Sequence, residues 1–350
     1  MDFVGPLRSR PVLPDRAHDV VAALVEGWDG QVPAVDMDAY APFDEATYVY
    51  RQRRDGREHV GLLLEVRRET VEAGRLRGHE AVLPERVEAL ARYLDAGHPQ
   101  TSLVSALHDA GPVYRDLLAS TTAKRPAVAV TTPDGGEHSL WRVDDAAAAD
   151  VIAELSVDPQ LYIADGHHRV AARRLLWDSG TDDVATGVPA VIYPFDGLRL
   201  EPFHRVLPGP FGRDRLDLLQ DRLRASYDVT EVERAPTPSR GQVAMYADGR
   251  WFLAAGRDVP DSGVEGLDAV LLERRVLAGS GSSLPVRAPL SDLTRRCDED
   301  ASVLFALASP DLSTVIEMAD RSEVMPPKTT SFQPKPVAGL LLSEWGGLRG

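Results

Sequence analysis

The sequence predicts an α/β fold with a mixed sheet, and three observations predict it. Short runs of β-favouring apolar residues alternate with amphipathic helical segments along the whole chain. Asp-Gly pairs, the turn chemistry of tight hairpins, separate two pairs of these runs at Asp55-Gly56 and Asp248-Gly249. Residues 161–174 read as strand, tight turn and helix in succession, because apolar Leu161, Tyr162 and Ile163 stop at Asp165-Gly166 and Val170, Ala171, Leu175 and Leu176 resume at helical spacing.

Taken in order, residues 1 to about 40 are rich in Pro, Asp and Val, with a helical segment at 18–28 and no assigned role. Strands are expected at 47–50 and 59–64, then a helix whose apolar face is Val87, Leu90, Ala91 and Leu94. A strand at 103–107, a short helix at 113–118, strands at 127–131 and 138–143 and a helix at 146–155 lead to the central stretch. Its helix ends near Gly180, and 188–193 is a further strand. Beyond Pro208 come a helix at 214–225, a hairpin of 242–247 with 250–255, and a helix at 267–277. The run Gly279 to Ser283 lacks P-loop spacing and reads as a plain loop. A buried strand at 303–308 and a helix at 312–319 complete the elements. The chain divides into residues 1–205 and a smaller α/β portion, 206–350.

Composition bounds the function. At 43% hydrophobic and 27% charged residues, the chain can bury a sizeable core. No apolar run reaches membrane-spanning length, and no apolar leader follows Met1. A lone cysteine, Cys297, excludes an internal disulfide framework and a multi-cysteine zinc site, so a cytoplasmic location is expected. The formal charge of −15 opposes nucleic-acid binding, whereas a small anionic ligand needs only a few local cations.

Four polar groups carry candidate chemistry. His167, His168 and Arg169 fall in the first turn of a helix, where the dipole already favours an anion, so added cationic donors point to phosphate. Asp165 also fits a helix cap, and Gly166 a simple turn. His79-Glu80 precedes the helix bearing Val87; Glu80 fits a general base for a hydroxyl and equally a first-turn acid. His204-Arg205 ends a strand and supplies a candidate phosphate or substrate ligand pair. In Met325 to Lys335, prolines are expected to hold the backbone extended while Lys328, Thr329 and Thr330 project as an anion clamp.

These motifs carry a resemblance. Asp165-Gly166-His167-His168-Arg169 looks like the signature of the domain-of-unknown-function 1015 family and of the ADP- or ATP-dependent free L-serine kinases of the ParB-like superfamily. Gly166 to Ala172 is similar to the Gly-x-x-Arg-x-x-Ala box with which ParB-like proteins hold nucleotide phosphates. The His79-Glu80 pair before a helix, the His204-Arg205 pair, and Pro327-Lys328-Thr329-Thr330 with a later Pro334-Lys335 resemble the remaining family motifs in the same order. The Pro-Tyr-Asp-Val of family members survives only as His18-Asp19-Val20.

The resemblance implies a ParB-like nucleotide-binding portion and a C-terminal portion that returns the Lys328 loop to the cleft. It implies phosphoryl transfer from a nucleotide, ADP or ATP, to the hydroxyl of free L-serine or a similar hydroxy amino acid. Glu80, Asp165 and His167 would be catalytic, with Asp165 orienting the histidines or binding Mg²⁺. Gly166, His168, Arg169, His204 and Arg205 would hold phosphate, and His79, Lys328, Thr329 and Thr330 the substrate. A non-catalytic nucleotide-binding regulatory protein of the same superfamily is the alternative, and neither nucleic acid nor membrane is expected as partner.

Overall fold

The computed structural model describes residues 3–26, 35–157, 160–180 and 187–343. The expected class is found: a mixed α/β protein. It forms two compact units, one of residues 1–78, 82–199 and 334–350, the other of residues 79–81 and 200–333.

The first unit is built on a nine-stranded sheet. Its main path runs Leu76–Arg77, Leu161–Asp165, Val104–His108, Gly187–Pro194, Arg57–Arg67, Tyr48–Arg54, Glu137–Arg142, Val128–Thr131. Pairing is mixed: Leu161–Asp165 runs parallel to Leu76–Arg77 and antiparallel to Val104–His108. Gly187–Pro194 is buried at every residue, which is why it reads as an unbroken apolar run without alternation. The turn between Tyr48–Arg54 and Arg57–Arg67 puts Asp55 at φ 51° and Gly56 at φ 70°, the pair of left-handed residues that a two-residue hairpin of matching twist requires.

One apolar cluster joins Leu62, Leu64, Val104, Ala106, Ala190 and Ile192 of the sheet to residues of four helices, Pro84–Asp95, Pro112–Thr122, Asp145–Val157 and His167–Ser179. Each buried Leu, Val or Ile there contributes roughly 1.5–3 kcal/mol relative to exposure, which fixes the helix His167–Ser179 through Val170, Ala172 and Leu176. A small sheet of Leu341–Ser343, Leu7–Pro11 and Asp44–Ala46 ties the two ends of the chain into this unit. The helix expected at 18–28 is Ala17–Glu26, and Trp28 lies outside the described residues.

In the second unit, a six-stranded antiparallel sheet runs Tyr227–Val232, Arg250–Gly256, Gln242–Ala247, Val303–Leu307, His204–Leu207, Leu284–Val286. Alternation within Gln242–Ala247 feeds two cores. Val243, Met245 and Ala247 pack with Leu216, Leu219 and Leu223, while Ala244 and Tyr246 pack with Leu293 and Cys297. The helix expected at 267–277 is Asp268–Leu272 passing into a wider π-helical turn, Glu273–Leu277. The extended backbone expected around Lys328 is not found: Lys328 sits at φ 61° in a turn after Pro326-Pro327.

Candidate functional site

In the first unit the site is made where strand becomes helix. Leu161–Asp165 carries a bulge between Ile163 and Asp165, which breaks the ladder just as the strand ends. Gly166 follows at φ 101° and ψ 22° and caps the helix His167–Ser179. A Cβ at Gly166 would lie 2.9 Å from Arg169 Nη1 and 3.0 Å from Val104 Cγ2, so both the backbone and the space demand glycine. His167, His168 and Arg169 therefore occupy the first helical turn.

Asp165 is not the cap, and no side chain caps this helix. Its Oδ1 accepts from Lys335 Nζ at 2.5 Å and its Oδ2 from Arg169 Nη1 at 3.3 Å. Burial pushes the Asp165 carboxyl up, but Arg169 and then Lys335 outweigh it and hold the group below the usual carboxylate range. Arg169 Nη1 also donates to the Leu103 carbonyl at 2.6 Å, which fixes the guanidinium. Leu83 N–H donates to His168 Nε2 at 2.9 Å, which docks His168 on the start of Pro84–Asp95. His167 lies against Gly78, where an added Cβ would stand 3.0 Å from its Cδ2. With both Asp165 oxygens engaged by cations, this site does not fit a protein-held magnesium ion. Among the described residues, no group of three or more His, Cys, Asp or Glu side chains gathers to hold a metal.

The second unit holds the other cluster. Residues 79–81 run beside Met325: Met325 N–H donates to the His79 carbonyl at 2.7 Å and Ala81 N–H to the Met325 carbonyl at 3.2 Å. That pairing lets Glu80 Oε1 accept the Lys328 N–H at 3.2 Å. The Lys328 side chain is exposed, with Nζ 5.4 Å from the centre of the Phe203 ring.

The two threonines differ from expectation. Thr329 is buried and donates to the Pro326 carbonyl at 2.7 Å, and buried Thr330 bonds His79 Nε2 at 3.1 Å. Both hydroxyls turn inward and brace the loop, leaving Lys328 as the group presented outward. His79 is 1% exposed, stands edge-on to Phe332, and is pushed down to about 4 by burial, so its ring is neutral at ordinary pH. It positions Thr330.

His204 and Arg205 are also internal. His204 Nδ1 accepts the Leu307 N–H at 3.2 Å, and burial first, Arg205 second, lower its pKa. Arg205 is 5% exposed; its Nε donates to Glu273 Oε1 at 3.1 Å and its Nη1 to the Phe203 carbonyl at 3.2 Å. Such a guanidinium is committed to holding its own strand. Lys335 is the site residue that sequence reasoning passed over, although Pro334-Lys335 stood within a recognised motif.

The model of the family described as "Protein of unknown function (DUF1015)" matches residues 43–270. No curated protein matches the chain. Among solved structures, C-terminally truncated SbnI from Staphylococcus aureus is 12% identical at a TM-score of 0.44, over 79% of this chain and 85% of that one. A conserved hypothetical protein from Pyrococcus furiosus is 17% identical at 0.40, over 76% and 91%. A substituted free serine kinase in complex with AMP is 16% identical at 0.42, over 88% and 96%.

Proposed function

The chain belongs to the DUF1015 family of proteins of unknown function, and from its two polar clusters we propose that it transfers a phosphoryl group from a nucleotide, ADP or ATP, to the hydroxyl of free L-serine or a similar small hydroxy amino acid. The observation that carries this reading is the head of the helix His167–Ser179. There a glycine at φ 101° precedes the first turn, and Arg169 and Lys335 converge on one ionised carboxylate, Asp165. A helix N-terminus with two adjacent cations favours phosphate oxygens, and such cations stabilise charge that grows on a departing phosphate.

In this reading Glu80 takes the proton of the acceptor hydroxyl. The oxygen forms its bond to phosphorus as the bond to the nucleotide's bridging oxygen breaks, and the negative charge passes to the nucleotide, where Arg169 and Lys335 neutralise it. Asp165 orients those two cations, His167 lies at the phosphate end, and His168 positions the helix. Lys328, presented by its turn, takes the acceptor's carboxylate as a point charge.

The test is phosphorus NMR of the full chain with ADP, ATP or pyrophosphate and hydroxy amino acids supplied singly. A phosphomonoester signal appearing with one amino acid supports the proposal. Nucleotide that binds and is never consumed with any acceptor would instead leave a non-catalytic nucleotide-binding protein.

A further inference from the structure

The second unit contains a cavity of about 430 Å³ whose walls include Phe203, Asp268, Ser309, Asp311, Thr314 and Thr329. It opens where the strand Val303–Leu307 gives way to the helix Leu312–Asp320, beside the turn that carries Lys328. We propose that this cavity receives the ammonium end of an amine-bearing acceptor, so that Asp268 and Asp311 select amino acids over hydroxy acids. The inference rests on the phosphotransfer reading for its hydroxyl chemistry, and on the cavity alone for its charge.

Three features of the walls favour a cation. Two carboxylates line the space, and Arg240, the single guanidinium or ammonium group among the wall residues, is turned to other partners: its Nη2 donates to the carbonyls of Pro260 at 2.8 Å and Asp261 at 2.6 Å. Asp268 accepts one hydrogen bond, from Gly241 N–H at 2.9 Å, and burial pushes its carboxyl up to about 6 against the smaller pull of that bond and of Arg240. A carboxylate whose burial outweighs the pull of Arg240 gains from an incoming ammonium, which adds positive charge directly beside it. Ser309 and Thr314 add hydroxyl acceptors for the remaining ammonium hydrogens.

The cavity also lies in register with the chemistry. Phe203 is the ring under the Lys328 ammonium, and Thr329 directly follows Lys328, whose N–H is held by Glu80. An acceptor with its ammonium among the aspartates has its carboxylate end toward Lys328. At this volume the cavity also admits acceptors larger than serine, since pockets of roughly 300–1,000 Å³ take ligands well above that size.

The test uses the full chain, L-serine, and glycerate, which keeps the hydroxyl and the carboxylate and lacks the amine. Calorimetric binding is compared for wild type, Asp268→Asn and Asp311→Asn, with phosphorus NMR on the same samples. The expected result is at least tenfold tighter binding of L-serine than of glycerate, a preference lost in Asp268→Asn while ADP affinity is unchanged. Equal affinity for the two acids, no binding of L-serine, or a preference that survives both substitutions overturns the proposal. So does loss of ADP affinity in Asp268→Asn, which assigns the cavity to the nucleotide. The two readings fail separately: Asp268-dependent binding of serine without phosphoryl transfer removes the reaction, and transfer without amine selection removes the pocket. Asp311→Asn guards against a folding defect at Asp268, because it lies on a different element.

Discussion

Replacing Glu80 by Gln separates a base from a brace. In the fold, Glu80 Oε1 accepts a hydrogen bond from Lys328 N–H at 3.2 Å, and the residue is half-buried. Glutamine keeps an oxygen of the same shape in the same place, so the bond loses only its charge assistance, about 1 kcal/mol or less. In a chain of 350 residues that moves the melting temperature by no more than about 2 °C. Nucleotide affinity is expected to stay within twofold of wild type, because glutamine keeps the size and shape of Glu80 and leaves the proposed phosphate-holding cations, Arg169 and Lys335, unaltered. A proton acceptor in the transition state contributes on the order of 10²–10⁴ in rate, and glutamine cannot accept one. Turnover followed by phosphorus NMR should therefore fall by at least a hundredfold with stability and nucleotide binding intact. Turnover within threefold of wild type would refute the assignment. Glu80→Ala adds a second contrast, since it also deprives Lys328 N–H of its acceptor and should raise the KM for the hydroxy amino acid.

Arg169→Ala removes a cation that also bonds Leu103 and Asp165, and nucleotide binding measured by calorimetry should weaken about 10- to 100-fold, the worth of one charge-assisted contact; unchanged affinity would remove Arg169 from the phosphate site. Gly166→Ala forces a Cβ to within 2.9 Å of Arg169 Nη1 at φ 101°, so urea denaturation should show about 1–3 kcal/mol lost, and nucleotide affinity should fall with it. The folded protein keeps buried His79, His108 and His138 neutral down to about 4, chiefly by burial. Because the unfolded rings protonate near 6.5, their stabilisation is complete above that pH and is lost as pH falls towards 4, up to about 3 kcal/mol for each ring. Urea midpoints should drop between pH 7.5 and pH 5, and equal midpoints would contradict the burial of these rings as neutral species.

What the sequence disclosed was local in origin. The strand, turn and helix of 161–179 were legible because Asp165-Gly166 interrupts two different periodicities at one point, and Gly180 ends the helix in the left-handed region. Both Asp-Gly hairpins were legible for the same reason, with Asp248 and Gly249 repeating the positive φ values of Asp55 and Gly56. What stayed hidden depends on distance along the chain. Lys335 meets Asp165 across 170 positions, and Arg205 meets Glu273 across 68, so nothing beside either residue announces its partner. The inward turn of Thr329 and Thr330 was missed because a proline-rich stretch suggests extension, whereas tertiary contacts with Pro326 and His79 put Lys328 into a turn. The helix Leu290–Asp300 escaped notice although Leu290, Leu293 and Cys297 recur at helical spacing, because the rest of its residues are polar or charged and low hydrophobicity masks the period.

The small sheet of Leu341–Ser343 with Leu7–Pro11 has a consequence for biosynthesis. A ribosome releases the strand at Leu7–Pro11 early and its neighbour Asp44–Ala46 soon after, yet the partner on its other edge, Leu341–Ser343, is made more than three hundred codons later. The segment at 79–81 likewise waits for Met325. Neither unit can complete its backbone pairing on a nascent chain that stops short of these residues, so each waits for Met325 or for Leu341–Ser343 to be made, and the edges exposed in that interval are where assistance by a chaperone would act.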